Sequence, residues 1–210
     1  IALRAVAWQA TTAVADGLRT RLNAAKTQSR HRDYAGLLAC IYRKPAEWKY
    51  WGYRPAPRAS HTVEWESTKV IATALDAALA KADKTIVPQL LRQLEREGVP
   101  IQLATLKALA QRERDAETVG SLLQAFAPHP AERVQDELLA IIREHRHATA
   151  NRLKAIELLA RQKEADKLWL PLATKVEAGS TLAALVEQLG LGKEKETEQF
   201  IQGQLKSQSP

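Results

Sequence analysis

From Glu64 onward the apolar positions of this chain recur with helical spacing. Val70, Ile71, Ala74, Leu75, Ala78 and Leu79 fall at i, i+1, i+4, i+5, i+8 and i+9, which places them on one face of an amphipathic helix. After Asp83-Lys84 a second stripe follows, Ile86, Val87, Leu90, Leu91 and Leu94. Gly98 is the expected residue past its end and Pro100 the opening of the next helix. Further stripes are Ile101, Leu103, Leu106 and Leu109, and then Val119, Leu122, Leu123 and Phe126, stopped by Pro128-His129-Pro130. Val134, Leu138, Leu139, Ile141 and Ile142 predict the next helix. Leu153, Ile156 and Leu159 predict its successor, with Thr149 as candidate N-cap. Leu168, Trp169, Leu172 and Val176 come next. Gly179-Ser180, read as C′ and N-cap, then introduces Leu182, Leu185, Val186 and Leu189.

The first third is patterned differently. Helices are expected at about 2–15, on Leu3, Val6, Ala7, Ala10 and Val14, and at 32–43, on Tyr34, Leu37, Leu38, Ile41 and Tyr42. Between Lys44 and Val63 the helical pattern fails over a stretch rich in proline and aromatic residues, and long irregular loops inside domains are usually functional. At the other end, Gly190-Leu191-Gly192 leads to a last helix with Phe200, Ile201 and Leu205, and 206–210 read as a frayed tail.

The helix pairs recur at roughly 27–35 residues, below the 40–47 of HEAT repeats but in the same style. A single pair cannot bury its stripe, whereas stacked pairs can. Ala82-Asp83-Lys84-Thr85-Ile86-Val87 and His129-Pro130-Ala131-Glu132-Arg133-Val134 read as the turn and helix entry of degenerate HEAT units. The expected fold is therefore all-α, a right-handed α-solenoid of antiparallel HEAT-like helix pairs with one long aromatic, Pro-rich loop. Its expected divisions are 1–63, basic N-terminal helices with the loop at 44–63; 64–192, the repeats; and 193–210, a terminal helix and tail.

Composition agrees: 210 residues, 45% hydrophobic and 26% charged, with only 9 Gly and 9 Pro, are those of a helical globular chain. Charge changes the picture more. The net +7 is unevenly spread, because residues 1–63 hold eleven basic side chains against three acidic ones and the remainder is close to neutral. The single cysteine, Cys40, sits in the apolar run 37–41, so it is expected in the core and cannot form an intramolecular disulfide. Neither a signal peptide nor an apolar run long enough to span a membrane is evident. With no methionine even at position 1, the chain reads as a piece of a longer protein.

Six of the eleven Phe, Trp and Tyr residues lie between Tyr42 and Trp65, interleaved with Arg43, Lys44, Lys49, Arg54 and Arg58. Such a mixture can stack bases or sugars while contacting phosphate or carboxylate groups. It can equally close the end of a solenoid, which needs a cap, and that is the preferred reading. The candidate contact residues are Trp48, Tyr50, Trp51, Tyr53, Arg54, Arg58 and Trp65.

The stretch Tyr42 to Pro55, with Trp48, Trp51-Gly52 and Arg54-Pro55, followed by Trp65-Glu66-Ser67-Thr68, Val70-Ile71-Ala72 and Leu75, resembles the HEAT-repeat segments of large planctomycete and verrucomicrobial proteins. Those proteins join a sugar-dehydrogenase-like β-propeller to HEAT repeats and often a c-type haem domain. The resemblance implies an exported or periplasmic connector with no catalytic residues of its own. This chain lacks Cys-x-x-Cys-His, so no haem attaches to it.

No Gly-rich phosphate loop, His-Glu-x-x-His or Gly-x-Ser-x-Gly occurs. His145-x-His147 stands at a helix end, where such histidines more often meet terminal carbonyls than a metal, and Asp136-Glu137 are expected on a solvated face. No cofactor, metal or catalytic residue is expected. The leading expectation is a non-catalytic scaffold or protein-interaction module within a larger exported protein, its partners being proteins or neighbouring domains of the same chain. The alternative is a basic nucleic-acid binder resembling the HEAT-like DNA-alkylation-repair glycosylases, with carbohydrate stacking on the loop ranked third.

Overall fold

In a computed structural model the described residues are 5, 9–46, 61–191 and 195–207. They are all-α, with eleven helices and one two-stranded ribbon. The chain divides into two compact units, 1–109 and 110–210.

In the first unit, α1 spans Thr12–Asn23 and α2 spans Gln28–Cys40. Each starts at a threonine in extended conformation whose hydroxyl accepts a backbone N–H two or three residues into the helix: Thr11 from Val14 and Thr27 from Arg30. The cap at Thr11 corrects the expected helix over 2–15. Ala10 has φ +45°, so no helix runs through it, and α1 instead buries Ala15, Leu18 and Leu22. α2 buries Ala35, Leu38 and Ala39. Cys40, expected in the core, is exposed: it follows that stripe by one position, about 100° round the helix, and takes a hydrogen bond from Gln93 Nε2 at 3.7 Å.

After α2 come β1 (Lys44–Pro45) and β2 (Thr62–Val63), paired antiparallel, Lys44 with Val63 and Pro45 with Thr62. Then follow α3 (Thr68–Lys81), α4 (Val87–Arg96) and α5 (Leu103–Arg112). α2 packs on α1, α3 and α4, α1 also on α3, and α3 on α4. The stripe of α4 is buried throughout. Its end is a Schellman turn: Gly98 takes φ +65°, its N–H reaches Glu95 O, and Val99 N–H reaches Leu94 O. In α3 the face is rotated from the expected one. Val70 is 43% exposed while Asp76 is buried, and Asp76 accepts from Gln102 N–H at 2.9 Å and from the Thr105 hydroxyl at 2.8 Å. A carboxylate from α3 thus caps α5, which opens at Leu103 rather than at Pro100.

In the second unit, α6 (Ala116–Phe126), α7 (Ala131–Arg143), α8 (Thr149–Leu159), α9 (Asp166–Ala173), α10 (Ser180–Gly190) and α11 (Lys195–Ser207) follow at short intervals. α7 pairs with α8 and α9 with α10. Alternate helices also touch, α6 with α8 and α8 with α10, and α11 closes on α10. Asp115 caps α6 through Thr118 N–H and hydroxyl, both at 3.0 Å. Four expectations are corrected here. Thr149 is the first helical residue and Ala148 the N-cap; Gly179, at φ +139°, is the N-cap of α10 and Ser180 its first residue. In α8 the buried face holds Asn151, Arg152, Ala155 and Ile156, leaving Leu153 36% exposed. Glu137, expected on a solvated face, is buried because it lies three residues after Val134 within the stripe of α7.

Candidate functional site

Of the sequence-predicted contact residues, Trp65 is described; Trp48, Tyr50, Trp51, Tyr53, Arg54 and Arg58 lie outside the described residues. Trp65 stands where the chain leaves the ribbon for α3. Its indole N–H donates to Ile41 O at 3.0 Å, and its backbone N–H donates to Thr68 Oγ1 at 2.9 Å. The Thr68 hydroxyl in turn donates to Tyr42 O at 2.9 Å, and Lys44 Nζ lies 5.9 Å from the ring centroid. Ala46 N–H adds a bond to His61 O at 2.8 Å. The two ends of the segment 47–60 are therefore held together by the ribbon, and the ribbon is tied to the end of α2 and the start of α3. Every polar atom of Trp65 and the Thr68 hydroxyl is spent on that neck. Trp65 is half-buried, and its chemistry here is positional.

A shallow cavity of about 340 Å³ lies beside it, between α1, α2 and the start of α3. Thr12 Oγ1 is paired there with Glu66 Oε1 at 2.5 Å, and Arg19 with Asp16 at 3.1 Å.

The second unit contains a charged junction that the sequence did not announce. Arg152, on the buried face of α8, donates through Nε to Ile142 O at 2.8 Å, one of the last carbonyls of α7. Its two terminal nitrogens grip the carboxylate of Glu177, just ahead of α10, the Nη2 contact being 3.2 Å. One guanidinium so joins the end of α7, the body of α8 and the approach to α10. Beside it, Glu144 Oε2 collects Arg146 Nε at 2.9 Å, Arg114 Nε at 3.1 Å and His147 Nε2 at 3.4 Å. Asn151 Nδ2 donates to Ala116 O at 2.8 Å, stitching α8 to the start of α6.

The protonation states follow from these contacts. The Arg146 hydrogen bond, aided by the Arg114 and Arg146 charges, holds the Glu144 carboxyl below its ordinary range against the effect of burial. The Arg152 bond does the same to Glu177. Burial pushes His147 below its ordinary value, more than Glu144 raises it, and Arg114, Arg146 and Arg152 press the same way. His147 is thus neutral near pH 7, with Nδ1 buried and without a hydrogen-bond partner among the described residues. His145 is in the same turn and bears electrostatically on Glu177, and no group of three or more metal-ligating side chains forms among the described residues.

The signal for this junction was faint: an Arg on the expected apolar register of α8, and a His-x-His turn between two helices. Within the described residues no helix is long and apolar enough to cross a membrane. Compared with known proteins, the chain matches no protein-family model, no curated protein and no solved structure.

Proposed function

We propose that this chain is a non-catalytic, HEAT-like scaffold: a right-handed α-solenoid segment that holds neighbouring domains or proteins of a larger exported assembly, with 47–60 as its docking element. The observation that carries the reading is the alternation in the second unit, where α6, α8 and α10 touch in succession while α7 and α9 pair with their neighbours. That is how repeats that bury their stripes only against one another are built. The ribbon and Trp65 neck support the docking reading, since a short closed neck lowers the ordering entropy that a binding segment between its ends would otherwise lose.

The test places a photo-crosslinking amino acid at position 51 in the intact reading frame. A discrete adduct with an adjoining domain or a second protein is expected, and Trp51→Ala should abolish the association while leaving the melting temperature of the second unit unchanged. No adduct, together with unaltered stability and association of Trp51→Ala, sinks the proposal.

A further inference from the structure

One end of the first unit gathers exposed cations on and beside two adjacent connections. The α1–α2 connection, 24–27, and the α3–α4 connection, 82–86, lie side by side there. Gln28 Oε1 accepts from Asp83 N–H at 3.4 Å, Arg32 Nη1 reaches Gln89 Oε1 at 3.4 Å, and the Lys81 charge bears on His31. Within about one helical turn of these connections stand Arg21, Lys26, Arg30, Arg32, Lys81 and Lys84, all exposed. The acids within the same stretches of the described residues are Asp33 and Asp83. Asp33 pairs with Arg32 at 3.1 Å, and the Asp83 carboxylate caps its own turn through Thr85 N–H and hydroxyl, both at 2.9 Å.

Arg21 and Lys81 sit in the last turns of α1 and α3, where the helix dipole favours cations. Arg30 and Lys84 do the opposite. Arg30 stands in the first turn of α2, which contains no acid, and Lys84 precedes α4, whose first turn has none either. Positive charge at helix N-termini opposes the dipole, so these residues cost the fold a little stability. A cluster kept against that cost points to an anionic partner.

The partner's class follows from what the surface lacks. A membrane surface would be met by cations with apolar residues between them, and a protein by a buried apolar or aromatic anchor. The large apolar side chains exposed among the described residues of this unit are Val63 and Val70. Val70 is eleven residues before Lys81 on α3, about 16 Å away along the helix. Three arginines and three lysines on and beside two adjacent connections, with no exposed large apolar side chain among them in the described residues, match the row of phosphates of a nucleic-acid duplex. We infer that the end of the first unit formed by residues 21–32 and 81–84 binds the sugar-phosphate backbone of a duplex without reading its sequence. This site is separate from the docking role of 47–60 and stands or falls independently of it.

Fluorescence anisotropy of a labelled mixed-sequence DNA duplex of about 20 base pairs, titrated with the full chain, tests this. With six cations engaged, affinity is expected to fall about a thousandfold between about 50 and 200 mM salt. Arg30→Glu with Lys84→Glu should weaken binding at least about tenfold and reduce the salt slope by about two, while Arg30→Glu leaves the melting temperature unchanged or raises it. Arg30→Gln with Lys84→Gln should show a smaller loss in the same direction. Lys163→Glu with Lys175→Glu, two exposed cations of the second unit, should change nothing. Three results would each overturn the inference: no salt-sensitive duplex binding, the same affinity and slope in both double variants at 30 and 84, or tighter binding to phosphatidylserine vesicles or polyglutamate than to the duplex.

Discussion

The neck of the first unit and the junction of the second fasten helices by opposite means. At the neck the bonds are neutral: an indole, a hydroxyl and backbone groups satisfy one another around Trp65 and Thr68. At the junction they are charged, and Arg152 and Glu144 each hold several partners at once. A neutral network is indifferent to pH and salt, and its strength lies in packing and in leaving no buried donor unpaired. A charged one adds reach, spanning three helices with one side chain, and becomes sensitive to protonation. Ala46 and His61, which flank the segment 47–60, belong to the neutral fastening, which would not vary with conditions that loosen the other unit.

Trp65→Ala should break that contrast most severely. Removing a half-buried indole along with the bond to Ile41 O is expected to cost about 3 kcal/mol, confined to the first unit and measurable as loss of amide protection at 42–46 and 61–68. Trp65→Phe, which keeps much of the area, should cost about 1 kcal/mol. If Trp65→Phe is as stable as the parent, the indole bond does not hold the neck.

Arg152→Ala is expected to cost about 2–3 kcal/mol in the second unit. It strands the Ile142 carbonyl and leaves a void, whereas the freed Glu177 is half exposed and can turn to solvent. Arg152→Met restores the packing without the bonds and should recover part of that loss in denaturant unfolding. Full recovery would show that Arg152 acts by volume alone.

Asp76→Ala should cost about 1–2 kcal/mol, because Gln102 N–H and the Thr105 hydroxyl lose their acceptor at the start of α5. Cys40→Ser should fall within about 0.5 kcal/mol of the parent, while Cys40 in the folded protein reacts with a thiol reagent without prior unfolding.

The pH response distinguishes the two fastenings further. His147 binds a proton less readily folded than unfolded, where its value is 6.5. As pH falls below about 6.5 the unfolded chain therefore takes up more protons, and stability declines until the lower folded value is passed. Glu144 and Glu177, held low in the folded state, act in the same sense at lower pH: their contribution is present above the unfolded carboxyl value and is lost as pH falls through the folded one. His31, lowered mainly by burial and secondarily by Lys81, gives the first unit a similar but single contribution. Melting followed from pH 7.5 down to about 3.5 should show the second unit losing more, because the Glu144 and Glu177 contributions are lost there in addition to that of His147. His147→Gln should flatten its slope near pH 6, and an unchanged slope would exclude His147 as the sensor.

What was legible along the chain was what repeats. The stripes of α4, α6 and α7 are buried as their spacing requires, and Gly98 ends α4 because a left-handed residue was needed there. What misled were positions where register depends on the neighbour. Val70 and Leu153 are apolar at helical spacing yet exposed, while Asp76 and Arg152, one charged residue each beside such stripes, are buried. Hydropathy scores a side chain alone, and a buried charge is stable only if groups distant in sequence meet it. Gln102, 26 residues from Asp76, and Glu177, 25 from Arg152, are such groups. Cys40 was misread for the same reason, an apolar run being taken for a continuous core when α2 turns it out by one position.

The sequence by itself determined the all-α class, the apolar stripes of α4, α6 and α7 and the concentration of positive charge in the first third, because these depend on local spacing and simple counting. Only the tertiary structure decided which face each helix buries, that Trp65 closes a neck, that Arg152 joins three elements, and that six cations from two connections share one end of the first unit. Each of those is a meeting of residues 20 to 60 positions apart, and such meetings are fixed by how helices pack and not by any one helix's own pattern.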